Sequence, residues 1–95
     1  MAARSTFPVI QPMARSFHYK IEAIDDRGVS RVCEFVVIAR DEAEAIAELS
    51  EVFELHDVIE TWRVTELLRV EDLADDDECA IDYAAKGAHS YFDAI

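Results

Sequence analysis

The sequence predicts an α+β domain: an antiparallel three-stranded sheet in the order β-β-α-β, one helix packed on it, and a short second helix near the C-terminus. Three observations predict it. Residues 17–23 alternate cleanly, with Phe17, Tyr19, Ile21 and Ala23 on one face, the period of a half-buried strand. Asp25-Asp26-Arg27-Gly28 then breaks the pattern with a tight turn, Gly28 supplying the positive φ that a hairpin loop needs. Ala45, Ile46, Leu49, Val52 and Phe53 recur at helical spacing and form one apolar stripe. A helix gathered on one face of an antiparallel sheet defines the class.

The elements follow in order. Residues 1–16 contain no acid and both prolines, which predicts an irregular arm ahead of a single domain over 17–95. The return strand covers about 29–39. Cys33, Phe35, Val37 and Ala39 take one face; Val32, Glu34, Val36 and Ile38 take the other. The second face is apolar too, so the strand is central or covered on both sides. Asp41 is a good N-cap, and Glu44 three residues on makes a variant of the capping box. The helix fades near His56-Asp57. A third strand covers about 58–70, with Trp62, Val64, Glu66, Leu68 and Val70 on one face. The alternation fails at Glu66-Leu67, which marks a bulge. An acidic linker follows over 71–78. A helix over 80–86 is capped by Asp76 or Asp77 and ended by Gly87. The aromatic tail, Tyr91 and Phe92, docks onto the domain rather than frays.

The β-β-α-β run resembles the N-terminal unit of type II secretion inner-membrane platform proteins. Residues 17–24, Gly28 and Ala39-Arg40-Asp41-Glu42-Ala43 carry the likeness. The membrane helices of that family have no counterpart here, so the resemblance implies a fold and nothing more.

Charge is the strongest global signal. The chain of 95 residues has 21 acidic and 9 basic residues and a formal net charge of −12. Only three of the basic residues, Arg63, Arg69 and Lys86, fall beyond residue 40, against seventeen acids. Phosphate backbones repel such a chain, because binding them needs Lys and Arg to displace counterions. The same field attracts basic protein surfaces.

Catalytic and metal patterns are missing. His18, His56 and His89 share no H-E-x-x-H or zinc-type spacing. Two glycines, Gly28 and Gly87, do not build a phosphate-cradling loop. The acidic run 75–78 lacks the alternating oxygens and central glycine of a calcium loop. Cys33 lies within a strand, and the acids preceding Cys79 disfavour its thiolate. The expectation is therefore a non-enzyme with no cofactor and no metal. The two cysteines form no CxxC and no apolar signal core follows Arg4, which predicts a reduced, cytoplasmic setting.

The helix after Asp41 carries the functional expectation. No Lys or Arg occurs over residues 42–61. Asp41, Glu44, Glu48 and Glu51 follow at i+3 and i+4, with Glu54 beside them. Exposed helices ordinarily interleave lysines at this spacing, since like-charged pairs cost about 0.2–0.5 kcal/mol each. The bland explanation is a solvated acidic face. The sharper one is a ridge that docks on a basic surface, joined by Glu71, Asp72, Asp75, Asp76, Asp77 and Glu78. Its Cβ spacing of about 5–6 Å is similar to that of phosphates along a nucleic-acid strand. In length, charge and compactness the chain resembles the small acidic inhibitors of phages and mobile elements, among them anti-CRISPR proteins and other nucleic-acid mimics. That resemblance implies a partner with a basic, nucleic-acid-binding surface, and no direct nucleic-acid or membrane binding. The alternative expectation is a dimeric assembly or regulatory module that self-associates through its sheet.

Overall fold

The computed structural model describes residues 14–93. The elements are β1 (Arg15–Asp25), β2 (Ser30–Ala39), α1 (Glu42–Glu54), β3 (Ile59–Asp72), α2 (Glu78–Lys86) and β4 (His89–Asp93). The sheet has the order β3-β1-β2-β4, and every neighbouring pair is antiparallel. The α+β class and the antiparallel sheet are as expected. The strand count is not: there are four strands rather than three. Residues 89–93 pair with β2 as a fourth strand; of the tail over 91–95 expected only to dock, 91–93 belong to it, and 94–95 lie outside the described residues. Five residues are too short a run to show a period, and Ser90 and His89 dilute what alternation there is.

The hairpin is built as its sequence dictates. Gly28 has φ 81, and the Asp25 carboxylate accepts from the backbone N–H groups of Arg27 and Val29, each over 2.9 Å. The sheet begins earlier than expected. Ala14 and Ser16 are buried and β1 starts at Arg15, so residues 14–16 belong to the domain. The expectation of an arm over 1–13 lies outside the described residues.

β3 departs from β1 in register at three places, two of them around Glu66-Leu67. The pairing leaves out Thr65 and Leu68, so Leu67 and Val70, not Glu66 and Leu68, share the face of Trp62 and Val64. Thr65 has its own compensation: its hydroxyl donates to the Lys20 carbonyl over 3.0 Å. The acidic segment is also less of a linker than expected. Glu71 and Asp72 end β3 and Glu78 starts α2.

Both helices are capped by aspartate. Asp41 accepts from Glu44 N–H over 2.9 Å; Asp77 accepts from Cys79 N–H over 2.8 Å. Glu44 reaches back one residue further than a capping box would, to the N–H of Arg40 over 2.7 Å. α1 buries Ala45, Leu49 and Phe53 against Phe17, Tyr19, Ile21, Phe35 and Val37 on one face of the sheet. α2 lies on the opposite face, where Cys79, Ala80 and Tyr83 pack on Ala14, Val36 and Ile38. α2 thus covers Val36 and Ile38 on the second face of β2, while Val32 on the same face stays 51% exposed. Among the described residues no helix is long and apolar enough to cross a membrane.

Candidate functional site

The fold divides the acidic residues singled out by the sequence. Asp41 and Asp77 are spent on caps. Glu44 accepts from the Tyr83 hydroxyl over 2.7 Å and so faces α2. Glu48 accepts from Ser90 Oγ over 3.3 Å and leans on β4. Burial pushes the Glu48 carboxyl above its ordinary range; the Ser90 hydroxyl opposes this and Glu51 adds to it. Glu71 and Asp72 lie at the end of β3, against Arg69 and Arg15. Glu51, Glu54, Asp75, Asp76 and Glu78 are exposed.

Cations on the sheet are largely consumed near the sheet. Arg15 pairs with Asp72, Arg27 with Asp25, Arg40 with Asp41, Arg63 with Glu22 and Arg69 with Glu71, at 2.9–3.8 Å. On the polar face, Arg63 Nε and Ser30 Oγ both donate to the Glu22 carboxylate, over 2.9 and 2.7 Å, linking β3, β1 and β2. These bonds hold the Glu22 carboxyl below its ordinary range. Among the described residues, no cation lies within ion-pair distance of Glu42, Glu44, Glu48, Glu51 or Glu54, nor of Asp75, Asp76 or Glu78. Exposed pairs contribute little to stability in any case; what matters is that, among the described residues, these helix carboxylates have no ion-pair partner.

A groove of about 820 Å³ opens between the C-terminal half of α1, β2 and β4. Its apolar wall comes from Cys33, Phe35, Val52, Phe53, Ile59 and Phe92, and Arg31 and His56 stand on its rim. Phe35 is its hub, with ring centroids 5.1 Å from Phe53 and 5.4 Å from Phe92. Phe92 remains 59% exposed. The sequence reading missed this groove. Its one local signal was a pair of aromatics after Gly87, which requires a fourth strand to acquire meaning.

A second polar cluster lies at the other end of the sheet. His18 Nε2 is 3.1 Å from Ser16 Oγ and 3.5 Å from Glu71 Oε1, and Nδ1 is 4.0 Å from Glu34 Oε2. The order serine, histidine, glutamate imitates a nucleophile and its base, but Ser16 is 4% exposed, too covered to meet a substrate carbonyl. Both thiols are pushed up, Cys33 by burial and Cys79 by burial and then by Asp77. Among the described residues no group of three or more His, Cys, Asp or Glu is placed to hold a metal ion. No protein family, curated protein or solved structure matches this chain.

Proposed function

We propose that this chain is a non-enzymatic acidic binding protein whose helix-borne carboxylates dock on a basic, nucleic-acid-binding surface of a target protein and block it, as phage-borne inhibitors such as anti-CRISPR proteins do. One observation carries the reading: five of the arginines, Arg31 not among them, pair with acids of the sheet, its hairpin turn and Asp41, while Glu42, Glu51 and Glu54 on α1 and Asp75, Asp76 and Glu78 around the start of α2 have no cation at ion-pair distance among the described residues. Glu44 and Glu48 become positioning residues, fastening α1 to α2 and β4. Such a field speeds encounter with a cationic partner and is screened by salt, whose Debye length is about 8 Å at physiological ionic strength.

The test is affinity capture from the host with wild-type protein and with a Glu51→Lys/Glu54→Lys variant shown by circular dichroism to be folded. Support requires a nucleic-acid-binding protein that the wild type retains at low salt, that an oligonucleotide releases, and that the variant fails to retain. Equal retention by both proteins would reduce the ridge to a solvated face.

A second reading is favoured by β3, an edge strand that leaves Leu67, Leu68 and Val70 about 40% exposed. Apolar edges of this kind invite pairing with another copy. Sedimentation decides it: a dimer dispersed by Leu68→Lys supports self-association, and a monomer at all concentrations removes it.

A further inference from the structure

The groove between α1, β2 and β4 has a lining of the opposite sign to the helices beside it. The row of β2 that faces α1 runs Val37, Phe35, Cys33, and Arg31 continues it, paired across to Ala23. An apolar side chain at this place would extend the core; a guanidinium does not. Arg31 is exposed and has no ion-pair partner among the described residues. His56 reaches the same groove from the segment after α1. Its backbone is pinned, the N–H donating to the Phe53 carbonyl over 3.2 Å and the carbonyl accepting from Ile59 over 3.0 Å. The chain has 21 acidic residues, yet among the described residues no carboxylate lines this groove.

Asp25 is the acid that feels Arg31, and it is already engaged. The N–H groups of Val29 and Arg27 hold its carboxyl below the ordinary range, with the Arg27 and Arg31 charges behind them. Asp25 and Asp26 line an adjoining cavity of about 570 Å³ at the hairpin, not the groove. Away from Arg31 the groove is apolar. Phe35, its hub, lies four residues along the same strand face, about 13 Å away at the rise of a β-strand. The volume of about 820 Å³ falls within the range of small-molecule sites, which are mostly apolar with a few polar groups that fix orientation. A net charge of −12 opposes ligands in proportion to their own negative charge. A single anionic head is therefore opposed least, and polyanions most.

We infer that this groove binds a small monoanionic amphiphile, a medium-chain carboxylic acid in class, with its carboxylate held by Arg31 and His56 and its hydrocarbon chain along Cys33, Phe35, Val52 and Phe92. A guanidinium offers a carboxylate two parallel N–H donors, and an imidazole adds another. The chain would cover Phe92, which is 59% exposed. This site goes beyond the acidic docking surface and does not depend on it, since the two select ligands of opposite charge.

The probes are decanoate, decanol and decyltrimethylammonium, each kept below its micelle concentration and titrated into the full chain. The expected result is saturable binding of decanoate, with amide shifts in NMR spectra confined to the residues around the groove. Decanoate should also slow alkylation of Cys33, which lines the groove, and leave Cys79, on the α2 face of the sheet, at its unliganded rate. Decanol and the ammonium should bind about tenfold more weakly, the loss of a hydrogen-bonded charge pair. Arg31→Gln, at an exposed position, should abolish the preference for decanoate over decanol, and Arg31→Lys should keep part of it. Phe92→Ser should weaken decanoate and decanol alike. Absence of decanoate binding, or equal binding of all three probes, would overturn the inference. So would decanoate binding that is indifferent to Arg31→Gln, or that protects both cysteines equally. A concentration-dependent dimer that closes the groove and excludes decanoate would make a second copy the occupant and also overturn it.

Discussion

The Tyr83 hydroxyl donates to Glu44 Oε1 over 2.7 Å and ties α2, on one face of the sheet, to the first turn of α1, on the other. The same carboxylate oxygen receives the Arg40 N–H, so one glutamate fixes the end of β2, the start of α1 and the middle of α2. Tyr83→Phe is expected to lower stability by about 1 kcal/mol, the net worth of a partly exposed bond to a charged acceptor. For a domain of this size that is a fall in Tm of about 4–8 °C. Burial and then Glu44 raise the Tyr83 phenol above its ordinary 10.0. The folded state favours the neutral phenol, so this contribution is complete below the unfolded value and lost as pH rises through the folded one. Thermal melts of wild type and variant should therefore converge at high alkaline pH.

Tyr19 is the converse case. It is fully buried beneath α1, and its hydroxyl has no hydrogen-bond partner. Burial, with Glu42 adding to it, pushes the phenol up to about 12. Removing an unsatisfied buried hydroxyl relieves a desolvation cost of about 1–3 kcal/mol. Tyr19→Phe should leave stability unchanged or raise it by up to about that amount, measured by urea unfolding. A clear loss would mean that the hydroxyl is bonded in solution.

Glu48 and Glu22 should act with opposite signs in acid. Burial raises the Glu48 carboxyl, so the folded state favours its protonated form. Its contribution is present below the unfolded value and lost as pH rises through the folded one. Glu48→Gln should therefore stabilise the protein at neutral pH, by less than about 1 kcal/mol at this exposure, with the gain vanishing below pH 4. Thermal melts at the two pH values measure it.

The bonds from Ser30 and Arg63 depress the Glu22 carboxyl. Its contribution is present above the unfolded value and disappears as pH falls through the folded one. Glu22→Gln should flatten the acid limb of the stability curve, and a carboxyl carbon NMR titration should place Glu22 below its ordinary 4.5.

Leu49 and Leu55 calibrate α1. Leu49 is fully buried and Leu55 is 79% exposed. Leu49→Ala should cost about 2–5 kcal/mol through lost burial and the cavity left behind. Leu55→Ala should fall within about 0.5 kcal/mol of wild type. Chemical denaturation separates the two.

The elements legible in the sequence were those with an uninterrupted period. Phe17, Tyr19, Ile21 and Ala23 point into the core as alternation demands, and Ala45, Leu49 and Phe53 form the helical stripe. The two-sided apolarity of β2 announced a covered strand, and α2 covers it. What failed did so for local reasons. The bulge at Thr65 reverses the alternation of β3 and the one at Leu68 restores it, so a face assigned from Trp62 is wrong at Glu66 and Leu68 and right again at Val70. β4 is too short to show a period. The candidate surface was legible as a count of charges and not as a geometry. Helical spacing put Glu44, Glu48 and Glu51 on one flank, but no spacing rule shows that Tyr83 and Ser90, distant in sequence, would claim two of them.

The most direct test of the uncompensated helix charge is the equilibrium affinity for the captured target, titrated against salt for wild type and for Glu51→Lys/Glu54→Lys. The expected result is a Kd that rises steeply with salt for the wild type and is already weakened by about tenfold or more in the variant at low salt. A Kd that depends on neither salt nor these two side chains would contradict a docking surface made of carboxylates.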